Sequence, residues 1–166
     1  LLQVVRNLLV VQGTVTLVDE AASTPTPQSL IVTQGALSSD MMGRRAKLYL
    51  SGQIPQGAGR ASFLWEGAVT QQDDGGGTQV EGDLRIHQLD VRQVLSSWMG
   101  DGRIIDGFSQ PAQLTAHLRW MPGPGGTDLF ADDVRAEFAE VALQGSGALH
   151  GIGTAQAWFS SSLSAQ

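Results

Sequence analysis

The side chains that could carry chemistry here are three histidines, two adjacent aspartate pairs, one serine between glycines, and aromatics at alternating positions. His87, His117 and His150 lie far apart, without HxH, HxxxH or HExxH spacing, so the sequence predicts no metal site. His87 and His117 also fall out of phase with the apolar residues around them, which predicts a solvent-facing role. Asp73 and Asp74 precede three glycines, a turn composition that lacks the ordered ligand ladder of a calcium loop. Asp132 and Asp133 are neighbours on a strand pattern. Strand neighbours point to opposite faces, so the pair predicts no acid–base dyad. Ser146 sits in a Gly-Ser-Gly stretch read as a turn, and there is no GxSxG elbow, phosphate loop or dinucleotide fingerprint. An enzyme would need an acidic cleft built from Asp128, Asp132 and Glu137 and joined by His117 or His150. The expectation is a protein with no catalytic residue, no metal and no cofactor.

The aromatics point elsewhere. Phe63, Trp65, Trp120 and Phe138 all occupy the apolar phase of their segments, as do Leu48, Leu50, Leu84, Leu114 and Leu118. Such residues build either a dry core or the lining of an apolar groove. Period-two alternation is identical in the two cases.

The elements that position them read as strands. From Leu8, the run LLVVQGTVTLVD places Leu9, Val11, Gly13, Val15 and Leu17 on one face. AASTPTPQ reads as a loop, and Ser29–Leu37 as the next strand. Segments 46–54, 61–69 and 79–86 then resemble one another. Each alternates, and their glycines at 52, 67 and 82 are evenly spaced. PQGAG (55–59) and QDDGGG (72–77) separate them as turns, which predicts an antiparallel meander. Glycines repeated in register predict a sheet curved along one line. Asp90 with Gln93 forms a capping-box pattern, and Val91, Val94, Leu95 and Trp98 share a helical face, predicting one short α-helix over 90–99. Segment 112–120 alternates again. PGPGG (122–126) is a break and the candidate hinge. Segment 132–145 alternates with a phase shift, read as one strand with a bulge near Ala139 or Glu140. GSGALHGIG reads as a turn, and AQAWFSSSLS as the last strand. One short helix cannot cover six or more amphipathic strands. The expected fold is therefore a mainly β, curved antiparallel meander, either an open groove or a partly closed sandwich, in a single domain over 1–166.

Composition narrows the partners. The net charge is −6 and the pI about 4.8, which removes the cationic surface that nucleic acid or an anionic membrane needs. Cysteine is absent, and Lys47 is the one lysine. The chain begins without Met and inside an apolar pattern, so it reads as a piece of a larger protein.

Several segments resemble the AsmA-like family of bacterial envelope proteins, the YhdP- and TamB-like bodies. VRNLLVVQGTVTLVDEAASTPTPQSL, with Gly13 and Asp19, is similar to their recurring strand–loop unit. AKLYLSGQIPQGAGRASFLWEGAV is similar to their glycine-marked hairpins, VEGDLRIHQLDVRQVLSSWM to their strand-into-helix segment, and DLFADDVRAEFAEVALQG to the strand pair after it. The resemblance implies a periplasmic β-groove body, anchored in the inner membrane by a part of the protein outside this chain. It implies apolar contact with phospholipid acyl chains, as part of lipid transport and outer-membrane homeostasis. Leu48, Leu50, Phe63, Trp65, Leu84, Leu114 and Leu118 would be the groove residues, and the rest of the parent polypeptide a partner. The alternative is a structural or adhesive β-sandwich module of a cell-surface protein. In either case exposed edge strands favour self-association.

Overall fold

The computed structural model describes residues 7–17, 28–39, 44–57, 59–72, 77–92, 110–123, 126–138, 141–152 and 158–165. Ten strands form one curved, unclosed sheet: β1 (Asn7–Val10), β2 (Gly13–Leu17), β3 (Gln28–Ser39), β4 (Arg45–Gln56), β5 (Gly59–Gln71), β6 (Thr78–Leu89), β7 (Ala112–Gly123), β8 (Gly126–Phe138), β9 (Val141–Ile152) and β10 (Trp158–Ala165). From β3 onward each strand pairs antiparallel with the next in sequence. β1 and β2 together line the outer edge of β3. This is the expected meander, with strands β3 to β9 about a dozen residues long between turn clusters.

The turns fall where their chemistry places them. Gln56 pairs with Gly59 across the first, with Gly57 at φ 47°. Gln71 pairs with Thr78 across the second, where Gly77 at φ 91° accepts a hydrogen bond from the Gln72 N–H. Positive φ is the glycine-favouring region, so both turns depend on it. The 122–126 stretch, read as a hinge, lies at a tight hairpin: Gly123 pairs with Gly126, and β7 and β8 are bonded along their lengths.

Three readings are corrected. Segment 132–145 is two strands: Phe138 pairs with Val141, so the chain reverses between them. A bulge and a two-residue reversal shift the alternation by the same single step, and the sequence signal is therefore the same. GSGALHGIG is mostly strand, with Gly145–Ile152 inside β9 and Ser146 within it. The even glycine spacing does not mark one line. Gly67 faces Gly82, but Gly52 faces Phe63, further along the sheet. The helix expected over 90–99 lies, apart from Val91 and Arg92, outside the described residues.

Bulges carry the phase changes that the sequence hides. β3 gains an extra residue at Thr33, β6 is irregular between Ile86 and Leu89 with Gln88 at φ 59°, and β8 bulges at Asp133 with φ 50°. Because of the β3 bulge, Leu8 and Val10 share the apolar face with Gly13 and Val15, while Leu9 pairs with Ala36 on the other side.

The sheet is a single layer. Among the described residues, every pair of elements in substantial contact is a pair of bonded neighbours. What it buries is small: Ala46, Ala61, Ala68, Ala112 and Ala116, with Val32, Ile86 and Phe138. No large described side chain is fully buried. A sheet normally covers its apolar face with a second layer. Here most of the larger residues of that face, Leu50 and Trp65 among them, stay half open.

Candidate apolar binding face

Cross-strand pairing assembles the site in rows. One row runs Leu48–Gly67–Gly82–Leu118, the next Leu50–Trp65–Leu84–Ala116, and the third Gly52–Phe63–Ile86–Leu114. All seven expected groove residues therefore fall in three adjacent rows of one face, and each is half-buried. Pairing partners share a face by the geometry of the pleat. A fourth row continues the face across the sheet: Ala46–Val69–Val80–Trp120–Leu129–Leu149–Phe159. None of these rows contains an ionisable side chain.

The glycines shape this surface. A Cβ on Gly52 would lie 2.8 Å from Phe63 Cε1, and one on Gly82 would lie 2.9 Å from Trp65 Cε2. The aromatic rings therefore lie down over glycine seats on the neighbouring strands instead of standing up from the sheet. The outcome is a low-relief apolar surface.

The charges are on the opposite face. His117 Nδ1 lies 2.8 Å from Asp83 Oδ1, Arg119 2.7 Å from Asp132, Arg135 2.7 Å from Glu137, and Arg45 3.8 Å from Glu81. All are partly or well exposed, so each contributes at most about 1 kcal/mol. Of the residues an acidic cleft would need, Asp132 is held by Arg119 and Glu137 by Arg135. Asp128 pairs with His150, Oδ2 to Nδ1 at 3.2 Å, and its Oδ1 accepts the Gly151 N–H at 2.9 Å. That N–H first, and then His150, hold the Asp128 carboxyl below the usual carboxylate range. The His150 ring stacks on Trp158 at 4.1 Å and meets Phe130 edge-on at 5.4 Å. This carboxylate–imidazole pair orients a ring as a base's supporting acid would. The ring, however, lies against an aromatic that begins the edge strand, so the arrangement ties β10 to β9. Asp133, by virtue of the bulge, lines a shallow cavity of about 250 Å³ on the charged face with Asp83, Arg85 and His117. The premise of strict alternation fails at Asp133. Among the described residues, no three His, Asp or Glu gather as metal ligands.

The alternation read over 61–69 and 79–86 already put Val69 and Val80 on this face, but the sequence reading missed Leu129, Leu149 and Phe159 as members of it. Leu149 and its neighbours were hidden by the glycines of GSGALHGIG, although ALHGI itself alternates. No protein-family model, curated protein or solved structure matches the chain.

Proposed function

We propose that this chain is a non-enzymatic section of a periplasmic AsmA-like body, and that its charge-free sheet face holds phospholipid acyl chains. The observation that supports this is the convergence of Leu48, Leu50, Phe63, Trp65, Leu84, Leu114 and Leu118 on one uncharged surface that no described element covers. Apart from the Trp65 indole N–H, the central rows hold no hydrogen-bonding side chain to satisfy the hydroxyls of a sugar or the phosphates of a nucleotide. The face does offer burial to a hydrocarbon, at about 0.8 kcal/mol for each methylene removed from water. Nine strand positions at about 4.8 Å spacing give the face a breadth of roughly 40 Å, ample for an extended acyl chain. Rings laid flat on glycines leave a smooth track, whereas interlocking sheets need projecting side chains.

The test is a photoreactive residue at Phe63 or Trp65 in the parent protein within its envelope, with Ser62 on the charged face as control. Capture of phospholipid at the first two and not at Ser62 supports the reading. Capture of a protein sheet at Phe63 would favour the structural or adhesive module. No capture, or capture at Ser62 alone, rejects the groove.

A further inference from the structure

The apolar phase of β4 runs Ala46, Leu48, Leu50, Gly52 and Ile54, and then ends on an amide, Gln56. Gln56 pairs with Gly59 in the row after Ile54–Ala61, so its side chain leaves the sheet on the same face as Leu50 and Trp65. It is 6% exposed, the one buried polar residue among those described. Its Oε1 accepts the Asp90 N–H at 2.7 Å. An N–H needs an acceptor, so that bond fixes which amide atom is the oxygen. Nε2 is then a donor sealed from water, and it meets no acceptor among the described residues. A buried donor in that state costs about 1–3 kcal/mol. The bond to Asp90 uses only the oxygen, so it does not account for the donor.

Resting on the reading of the face as a hydrocarbon surface, we propose that Gln56 Nε2 is its polar terminus and donates to the ester carbonyl oxygen of a bound acyl chain. The hydrocarbon then runs from the Gln56 end of β4 over the half-open rows of Phe63 and Leu50 toward Leu48. Eight residues at about 3.4 Å each place Leu48 roughly 27 Å from Gln56, room for one extended chain. The acceptor is a neutral carbonyl for an electrostatic reason. Gln56 offers a dipole and no charge, the rows beside it hold no ionisable side chain, and the residue its oxygen holds, Asp90, is itself an acid. A carboxylate or phosphate brought there would lose its water without gaining a cation. An ester carbonyl needs only the one donor.

Three fluorescent probes titrated into the chain test this. Methyl cis-parinarate carries the ester carbonyl, cis-parinaric acid carries a carboxylate at about pH 8, and diphenylhexatriene is a hydrocarbon without oxygen. The ester should bind more tightly than the acid. Gln56→Met removes the whole amide, whereas Gln56→Glu, ionised at about pH 8, keeps an oxygen for the Asp90 N–H and removes the donor. Both variants should weaken the ester about tenfold, equivalent to about 1.4 kcal/mol. Both should leave diphenylhexatriene binding and the β circular dichroism unchanged. An acid that binds more tightly than the ester, equal weakening of ester and hydrocarbon, no weakening, or weakening in Gln56→Met alone would each overturn the role of Gln56 and leave the hydrocarbon reading standing. Failure of all three probes to bind the unsubstituted chain would overturn both.

Discussion

The indole of Trp65 lies over Gly82 on the neighbouring strand, so close that a Cβ there would sit 2.9 Å from its Cε2. The same Cβ would meet the Glu66 carbonyl oxygen at 2.5 Å and Gly67 Cα at 2.6 Å. Two of these three contacts are backbone. The seat is therefore made by the strands themselves, and Trp65 occupies it.

It follows that Gly82→Ala destabilises the chain by about 1–3 kcal/mol, as overpacking does, and that trimming Trp65 does not rescue it. In urea titrations the double variant Trp65→Ala with Gly82→Ala should be no more stable than Gly82→Ala alone. Recovery of wild-type stability in the double variant would mean that the side chain alone required the glycine.

The single-layer architecture separates two kinds of apolar residue. Ile86 is 8% exposed and enclosed by its neighbours, whereas Leu50, one row away, is half open. Ile86→Ala should cost about 2–5 kcal/mol, the range for large-to-small core changes. Leu50→Ala should cost clearly less, because part of its surface is in water already. Equal costs by chemical denaturation would show that a further layer covers Leu50.

How much of this could be read from the chain depends on where alternation is uninterrupted. In β4 to β7, Leu48, Leu50, Trp65, Leu84 and Leu118 keep one phase of a mostly apolar/polar alternation, and their common face follows from period two alone. What stayed hidden are single-residue events. The extra residues at Thr33 and Asp133 change phase without leaving any composition signal, since neither residue is a glycine. The reversal between Phe138 and Val141 imitates a bulge. Two-layer or one-layer packing is also invisible in the sequence, because a covered face and an open one need the same pattern. The position of Asp128 beside His150 depends on the β9 irregularity near Gly151, which brings together residues far apart in sequence.

That pair gives a pH prediction. Asp128 has its folded pKa lowered, chiefly by the Gly151 N–H and next by His150. A depressed carboxylate contributes stability above its unfolded value, near 4, and loses it as pH falls through the folded value. Asp128→Asn keeps an oxygen for the Gly151 N–H but removes the charge facing His150. The variant should therefore be less stable than wild type at pH 6, and the gap should narrow steadily as pH drops below about 4. Thermal melts across that range measure it. A gap that widens toward acid would contradict the sign.

The bulge at Asp133 sets the phase of everything after it in β8. Ala131 pairs with Leu118 and Ala136 with Leu114, both on the apolar face, although one number is odd and the other even. Only the extra residue reconciles them. Asp133→Gly should be nearly neutral, since glycine accepts the φ of 50° at little cost. Asp133→Val should cost about 1–3 kcal/mol, because a β-branched side chain is strained in the left-handed region. Deleting Asp133 should be far worse than either. It moves Val134, Ala136 and Phe138 to the charged face, or forces β8 to slip against both neighbours. Amide hydrogen exchange should then show loss of protection in β8 and β9 while β4 to β6 keep theirs. If the deletion leaves exchange in β8 unchanged, the bulge does not control register.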